Sequence, residues 1–200
     1  MKKLYKSLSK HTMVPEPTFY GNLDLAKTLN KIPGCVVECG AWKGGMAAGI
    51  STVMKPARSY YLFDSFEGLP PAQEIDGEAA LAYQRNTDLP SYYDNCKASA
   101  EDAEEAMRIV GCTQYAIVKG WFKDVLPGYE FEEPIALLRI DCDWYASTKF
   151  CLETLYEKVT RGGIIIFDDY FAWDGCKKAV DDFCVPQVNE ELGLCWLVKS

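Results

Sequence analysis

Ile135-Ala136-Leu137-Leu138-Arg139-Ile140-Asp141-Cys142-Asp143 and Ile164-Ile165-Ile166-Phe167-Asp168-Asp169 decide the fold of this chain. Each is a continuous apolar run that stops on carboxylates. Strands buried on both faces read this way, and they belong to parallel sheets covered by helices. In such sheets ligands sit beyond the carboxyl ends of the strands. Four carboxylates, Asp141, Asp143, Asp168 and Asp169, are therefore aimed at one rim, where their mutual repulsion asks for a cation. Oxygen clusters of this kind suit Mg²⁺ or Ca²⁺. Asp is also a favoured turn and helix N-cap residue, an alternative that serves one of these positions more easily than all four.

Working outward, strands are predicted at 35–39, 59–65, 115–119, 135–141, 163–168 and 194–199. Helical patterns lie between them, at 22–30, 45–54, 98–111, 147–159 and 176–183. Pro33-Gly34 stops the first, and Gly162-Gly163 is expected to end the fourth. Strands alternating with helices indicate βαβ units and a mostly parallel sheet with helices on both faces, a single-domain Rossmann-like α/β fold over 1–200. Neither an internal repeat nor an interdomain linker is visible. Residues 1–30 form an N-terminal helical segment and 67–111 an insertion. The least regular part, 67–97, holds Pro70-Pro71, Pro90, Tyr83, Tyr92 and Tyr93; so long a loop in a compact domain reads as a functional lid.

The 200 residues suit one α/β domain with a full core. A net charge of −8 argues against nucleic acid, which needs a basic surface. Apolar runs are too short to span a bilayer. Met1-Lys2-Lys3 has the charge of a secretory leader, but Leu4 to Lys10 lacks the apolar stretch that must follow, so a cytoplasmic location is expected. Nine cysteines, an odd number without C-x-x-C spacing, read as reduced and mostly structural thiols. His11 is the only histidine. Histidine-based triads and His-rich metal sites must use it or are excluded, so carboxylates, a lysine, a tyrosine or a metal are left to perform any chemistry.

Val36-Val37-Glu38-Cys39-Gly40-Ala41-Trp42-Lys43-Gly44-Gly45 runs from a strand into a helix. It is not the dinucleotide fingerprint G-x-G-x-x-G, whose amides hold a pyrophosphate. Glu38 at the strand end would repel a pyrophosphate and attract a cationic nucleoside, as S-adenosylmethionine is. Twenty residues past Gly44, Asp64 ends Tyr60-Tyr61-Leu62-Phe63 and is placed to accept hydrogen bonds from both ribose hydroxyls. Glycines alone are common in such turns; with Asp64 and the acidic rim, the loop points to a cofactor site.

These blocks resemble the macrocin/mycinamicin-type sugar O-methyltransferases, a metal-dependent family of class I methyltransferases. The resemblance rests on Thr12-Met13-Val14-Pro15, on the glycine loop, on Asp64-Ser65-Phe66-Glu67-Gly68-Leu69-Pro70 and on Gly120-Trp121-Phe122-Lys123-Asp124-Val125-Leu126-Pro127. It continues through Leu138 to Thr148, Gly162 to Tyr170 and Gly175 to Phe183. It implies Mg²⁺ held by Asp141, Asp168 and Asp169. It also implies S-adenosylmethionine at Glu38, Gly40, Gly44, Asp64, Ser65, Gly120, Trp121, Phe122 and Asp141. Cys142 stands where this family would have glycine, and Ala146 where it would have glutamate.

Methyl transfer to a hydroxyl needs positioning and removal of a proton. Asp168 or Asp143 is the expected base, and the acceptor a sugar, another small polyol or a phenol. A vicinal diol or catechol suits best, because two adjacent oxygens chelate one metal. A homo-oligomer is compatible with this reading. Trp121 and Phe122 either flank the adenine or belong to the core, and Tyr170 and Trp173 are expected to line the acceptor site. Lys43 reads as an exposed loop lysine and Asp181-Asp182 as a solvated helix face. Two rival readings are a nucleotide-binding oxidoreductase and a non-catalytic binding module of the same fold. The glycine spacing counts against the first, the intact rim against the second.

Overall fold

A computed structural model describes residues 2–54, 58–88 and 92–200; Pro90 of the irregular segment lies outside them. Seven strands form one sheet: β1 Cys35–Cys39, β2 Tyr60–Asp64, β3 Tyr115–Lys119, β4 Ile135–Ile140, β5 Val159–Phe167, β6 Gln187–Asn189 and β7 Leu194–Val198. Their order is β3-β2-β1-β4-β5-β7-β6. The first five are parallel, β7 pairs antiparallel with β5, and β6 pairs antiparallel with β7. The strand order reverses between β1 and β4, and the crevice beyond their carboxyl ends is where this topology binds ligands.

Alternation along each strand divides the core in two. Val36, Leu62, Leu137, Ile164 and Ile166 face α1 (Lys2–Leu8), α2 (Glu16–Thr28), α3 (Gly45–Ser51) and α5 (Ala100–Ile109). Val37, Phe63, Leu138, Ile165 and Phe167 face the other way, toward α6 (Phe122–Val125), α7 (Tyr145–Leu155) and α8 (Asp174–Phe183). None of the described helices is long and apolar enough to cross a membrane. All nine cysteines are free.

Two sequence expectations are corrected. Gly162-Gly163 does not terminate a helix: α7 ends at Leu155, and β5 runs from Val159 through both glycines. The register against β4 shifts there, and Gly162 takes up a φ of +79°. The 67–97 segment is also more regular than expected, since α4 (Gly77–Arg85) lies within it. Only Ala80 of that helix is buried, so no apolar stripe announced it. Polar groups dock the segment instead. Asp76, itself buried, accepts the N–H of Tyr145 at the start of α7 (2.7 Å) and that of Gln73 (2.8 Å). The indole N–H of Trp144 donates to the Pro70 carbonyl (2.9 Å).

Candidate active site

Beyond the ends of β1, β2, β4 and β5 lies a cavity of about 330 Å³. Glu38, Gly40, Asp64, Ser65, Gly120, Trp121, Phe122, Asp141, Asp143, Asp168 and Asp169 all line it. Of the residues that the sequence assigned to cofactor, metal or base only Gly44 does not. It caps α3 with a φ of +73°, and a Cβ there would meet Ala103 Cα at 2.9 Å, so its place is in the packing of α3 on α5. Gly40 is required by closeness: with φ +88°, a Cβ would stand 1.6 Å from the Asp141 carbonyl oxygen. Its bareness lets the ends of β1 and β4 approach, and the Asp141 N–H donates to the Cys39 carbonyl at 2.8 Å.

Asp64 organises the cofactor side. One carboxylate oxygen accepts the N–H of Trp42 (2.8 Å) and the other that of Phe66 (2.7 Å). Both residues are held in the left-handed region, with φ of 46° and 56°. Such a backbone costs non-glycine residues about 1–3 kcal/mol and persists only where neighbours fix it; here Asp64 does. Burial raises the Asp64 pKa, and the amides it accepts from hold it back. Ser65 caps the following turn by accepting the Glu67 N–H (3.1 Å). Trp121 and Phe122 are half-buried and stand between this cavity and a second one of about 540 Å³, walled further by Leu69, Pro70, Trp144 and Phe150. Both line the cavity, and Phe122 also packs against the core on the α6 side.

The acidic rim contains a cation that the sequence reading missed. Arg139, the one charged residue of β4, is 1% exposed and donates at 2.7 Å to both Glu38 and Asp141 through the same nitrogen, Nη1. Its Nη2 pairs with Asp168. The protein thus supplies part of the neutralisation expected of a metal. The signal was present as a lone arginine inside Ile135–Ile140, where a buried charge must have partners. Burial works against the guanidinium charge, but Asp168, Asp141 and Glu38 outweigh it and hold the pKa well above its ordinary value.

One guanidinium does not balance five carboxylates. Burial, opposed by Arg139, pushes Glu38 up to about 7. Burial likewise takes Asp168 up to about 6, again against Arg139. Asp143 goes to about 8, through burial and then the Asp141 charge. Asp169 is raised well above the carboxylate range by burial and by Asp143. Asp141, Asp143 and Asp169 bring one oxygen each within 4.8 Å of one another. The Asp143 N–H donates to Asp169 (2.9 Å), and the indole N–H of Trp173 donates to Asp143 (3.0 Å). Asp168 is turned toward Arg139 instead, with one oxygen on the guanidinium. Three convergent carboxylates fit a hard divalent cation.

Other expectations fall as follows. Tyr170 does not reach the cavity; its hydroxyl donates to Asp181 on α8 (2.9 Å). Trp173 reaches the site through Asp143. Asp181 and Asp182 are exposed and pair with Lys177 and Lys178. Lys43 lies over the Trp42 ring, 4.7 Å from its centre. His11, which the sequence left without a role, lines the cavity.

A β3-β2-β1-β4-β5-β7-β6 sheet with this rim is a Rossmann-like methyltransferase fold. The solved O-methyltransferase NovP superposes with a TM-score of 0.74 at 30% identity, over 95% of this chain and 82% of that one. Residues 11–193 match the family described as macrocin O-methyltransferase (TylF), and the chain belongs to it. Demethyldecarbamoylnovobiocin O-methyltransferase of Streptomyces niveus is 34% identical over 160 residues, 77% of this chain and 59% of that protein. Mycinamicin III 3''-O-methyltransferase of Micromonospora griseorubida is 31% identical over 163 residues, 76% of this chain and 61% of that protein. The chain thus spans about three fifths of the length of these curated relatives.

Proposed function

We propose that this chain transfers a methyl group from S-adenosylmethionine to a hydroxyl of a sugar or another small polyol or phenol, with Mg²⁺ at the acidic rim. The observation that carries this reading is one cavity joining a carboxylate-lined cofactor cradle to a three-carboxylate cluster. Glu38 and Asp64 suit a cationic nucleoside, and neither offers the anion-binding amides a dinucleotide needs. Asp64 accepts from the two ribose hydroxyls through lone pairs that the Trp42 and Phe66 amides leave free. Trp121 and Phe122 offer aromatic faces to the adenine.

Asp141 and Asp169 of that cluster would hold the metal, joined by Asp168 through the oxygen that Arg139 leaves free, and Asp143, the third member of the cluster, is kept for the proton. Arg139 engages one oxygen each of Asp141 and Asp168, which leaves the second oxygen of each for a ligand. When bound, Mg²⁺ supplies the positive charge that acidifies a hydroxyl placed against it. Asp143 then takes the proton. It lies beside Asp141 and Asp169, with one oxygen within 4.8 Å of theirs, which places a carboxylate next to a hydroxyl held at that rim. With Asp64 on the ribose and Glu38 deeper in the cradle, the cofactor is fixed so that its methyl faces the acceptor, the in-line geometry that displacement requires. A vicinal diol suits the acceptor side, because both oxygens can face one cation. Two of the relatives named above are, by their names, O-methyltransferases for demethyldecarbamoylnovobiocin and for mycinamicin III, which supports a hydroxyl of a small molecule as the target.

Calorimetry tests the reading. S-adenosylhomocysteine should bind with micromolar affinity, whereas NAD and ATP should give no heat. Tight NAD binding without S-adenosylhomocysteine binding would overturn it in favour of an oxidoreductase.

A further inference from the structure

Asp143 occupies a backbone conformation that asparagine or glycine tolerates better, with φ +58°. A non-glycine residue stays there only when its surroundings fix it. Two contacts do so. Its N–H is tied to Asp169, and one carboxylate oxygen receives the indole N–H of Trp173 at 3.0 Å. Trp173 is itself constrained. It is the N-cap residue of α8, its N–H donates to the Asp169 carbonyl at 3.0 Å, and its ring packs edge-on against Trp144 (centres 5.2 Å apart). The third side is closed from the 67–97 segment, where Tyr83 meets the Trp173 ring edge-on at 5.7 Å. Tyr83 is fixed in turn by contact with the Cys96 thiol (3.5 Å) and the Tyr93 N–H (3.4 Å). Trp173 therefore joins the docked segment to a single oxygen of Asp143.

We propose that Trp173 is the positioning residue of the proton acceptor: its indole N–H holds one oxygen of Asp143 and aims the other at the acceptor hydroxyl. Tyr83 braces Trp173 from the inserted segment. This inference rests on the role given to Asp143 above. A planar indole suits the task because its single donor points in the ring plane, so packing of the ring fixes the direction of the bond. Asp143 then spends no rotational freedom in reaching its working geometry, which is where positioning contributes to rate.

The test is a mutant cycle on the full chain with Mg²⁺ present. Trp173→Phe keeps an aromatic ring between Trp144 and Tyr83 and removes the donor. It should lower kcat roughly tenfold to a hundredfold, the worth of one hydrogen bond to a charged group. The KM for S-adenosylmethionine and the affinity for S-adenosylhomocysteine should stay within about twofold. Because the effect runs through Asp143, the double variant Trp173→Phe/Asp143→Asn should be no slower than Asp143→Asn alone. Should Trp173→Phe not fold, Tyr83→Ala leaves the indole in place, removes its brace, and should show the same non-additive loss of kcat. Wild-type kcat in Trp173→Phe beside a crippled Asp143→Asn overturns the role of Trp173 and leaves that of Asp143 standing. Additive losses overturn it as well, since they mean Trp173 acts on the fold at large. Full activity in Asp143→Asn overturns both.

Discussion

Replacing Arg139 by methionine keeps the apolar stem and removes the only guanidinium on three buried or half-buried carboxylates, Glu38, Asp141 and Asp168. Taking one partner from a buried ion pair costs roughly 3–5 kcal/mol, because the remaining charge stays buried without compensation. That is a large share of the roughly 5–15 kcal/mol by which domains are stable. With a urea slope of about 2 kcal/mol per molar, the unfolding midpoint should fall by about 1.5–2.5 M at pH 8. The cost should shrink at pH 5.5, where Glu38 and Asp168 can take up protons in place of the arginine. Adding Glu38→Gln to Arg139→Met should recover part of the loss, since one orphaned charge goes with it. Urea unfolding in EDTA, followed by the fluorescence of the five tryptophans, measures all of this. A midpoint for Arg139→Met within about 0.3 M of wild type at pH 8 would refute the reasoning and reduce the network to surface-strength ion pairs.

Two further outcomes follow from the same geometry. Asp64→Asn turns an amide nitrogen toward the N–H of Trp42 or Phe66 and removes the charge from the ribose side. S-adenosylhomocysteine affinity should fall at least about tenfold, from charge-assisted bonds worth roughly 1.5–3 kcal/mol each; unchanged affinity by calorimetry would leave Asp64 as a turn brace only. The pH dependence of stability has a definite sign. Glu38 at about 7, Asp143 at about 8 and Asp168 at about 6 all lie above their ordinary values, so between pH 5 and 8 the native state holds protons that the unfolded chain has released. The stability they contribute is complete below the ordinary carboxylate range and is lost as pH rises through these values. In EDTA the protein should melt lower at pH 8.5 than at pH 5.5, and Mg²⁺ should narrow the gap; melting higher at pH 8.5 would contradict the buried carboxylate cluster.

The parts of the fold legible in the sequence were those in which one segment carries its own signal. β1, β2, β4 and the second half of β5 are continuous apolar runs, and the carboxylates that end them mark the rim. What depends on pairing between distant segments was not legible. The stretch Val159–Gly163 continues a helical spacing from Phe150 and Leu155, and it becomes strand because β4 is there to pair with it. β6 is three exposed residues on an edge, Gln187-Val188-Asn189, too short and polar to show a period. In the site, the cavity-facing carboxylates follow from strand ends alone, while Gly44 shares the loop's composition and not its position. Arg139 could have been found as the only charge within an apolar strand. The bond from Trp173 to Asp143 spans 30 residues and depends on the left-handed turn at Asp143, for which the local sequence has no mark.

Methyl transfer with and without chelator tests the central claim most directly. Radiolabelled S-adenosylmethionine would be offered with a panel of vicinal diols, deoxysugar glycosides and catechols, once in excess EDTA and once with added Mg²⁺ or Mn²⁺. Transfer should disappear in EDTA and return with either metal, while S-adenosylhomocysteine binding changes little, since Asp141, Asp168 and Asp169 serve the acceptor and Glu38 and Asp64 the cofactor. Undiminished transfer in excess EDTA would contradict the metal role and leave the raised carboxylates as proton acceptors alone.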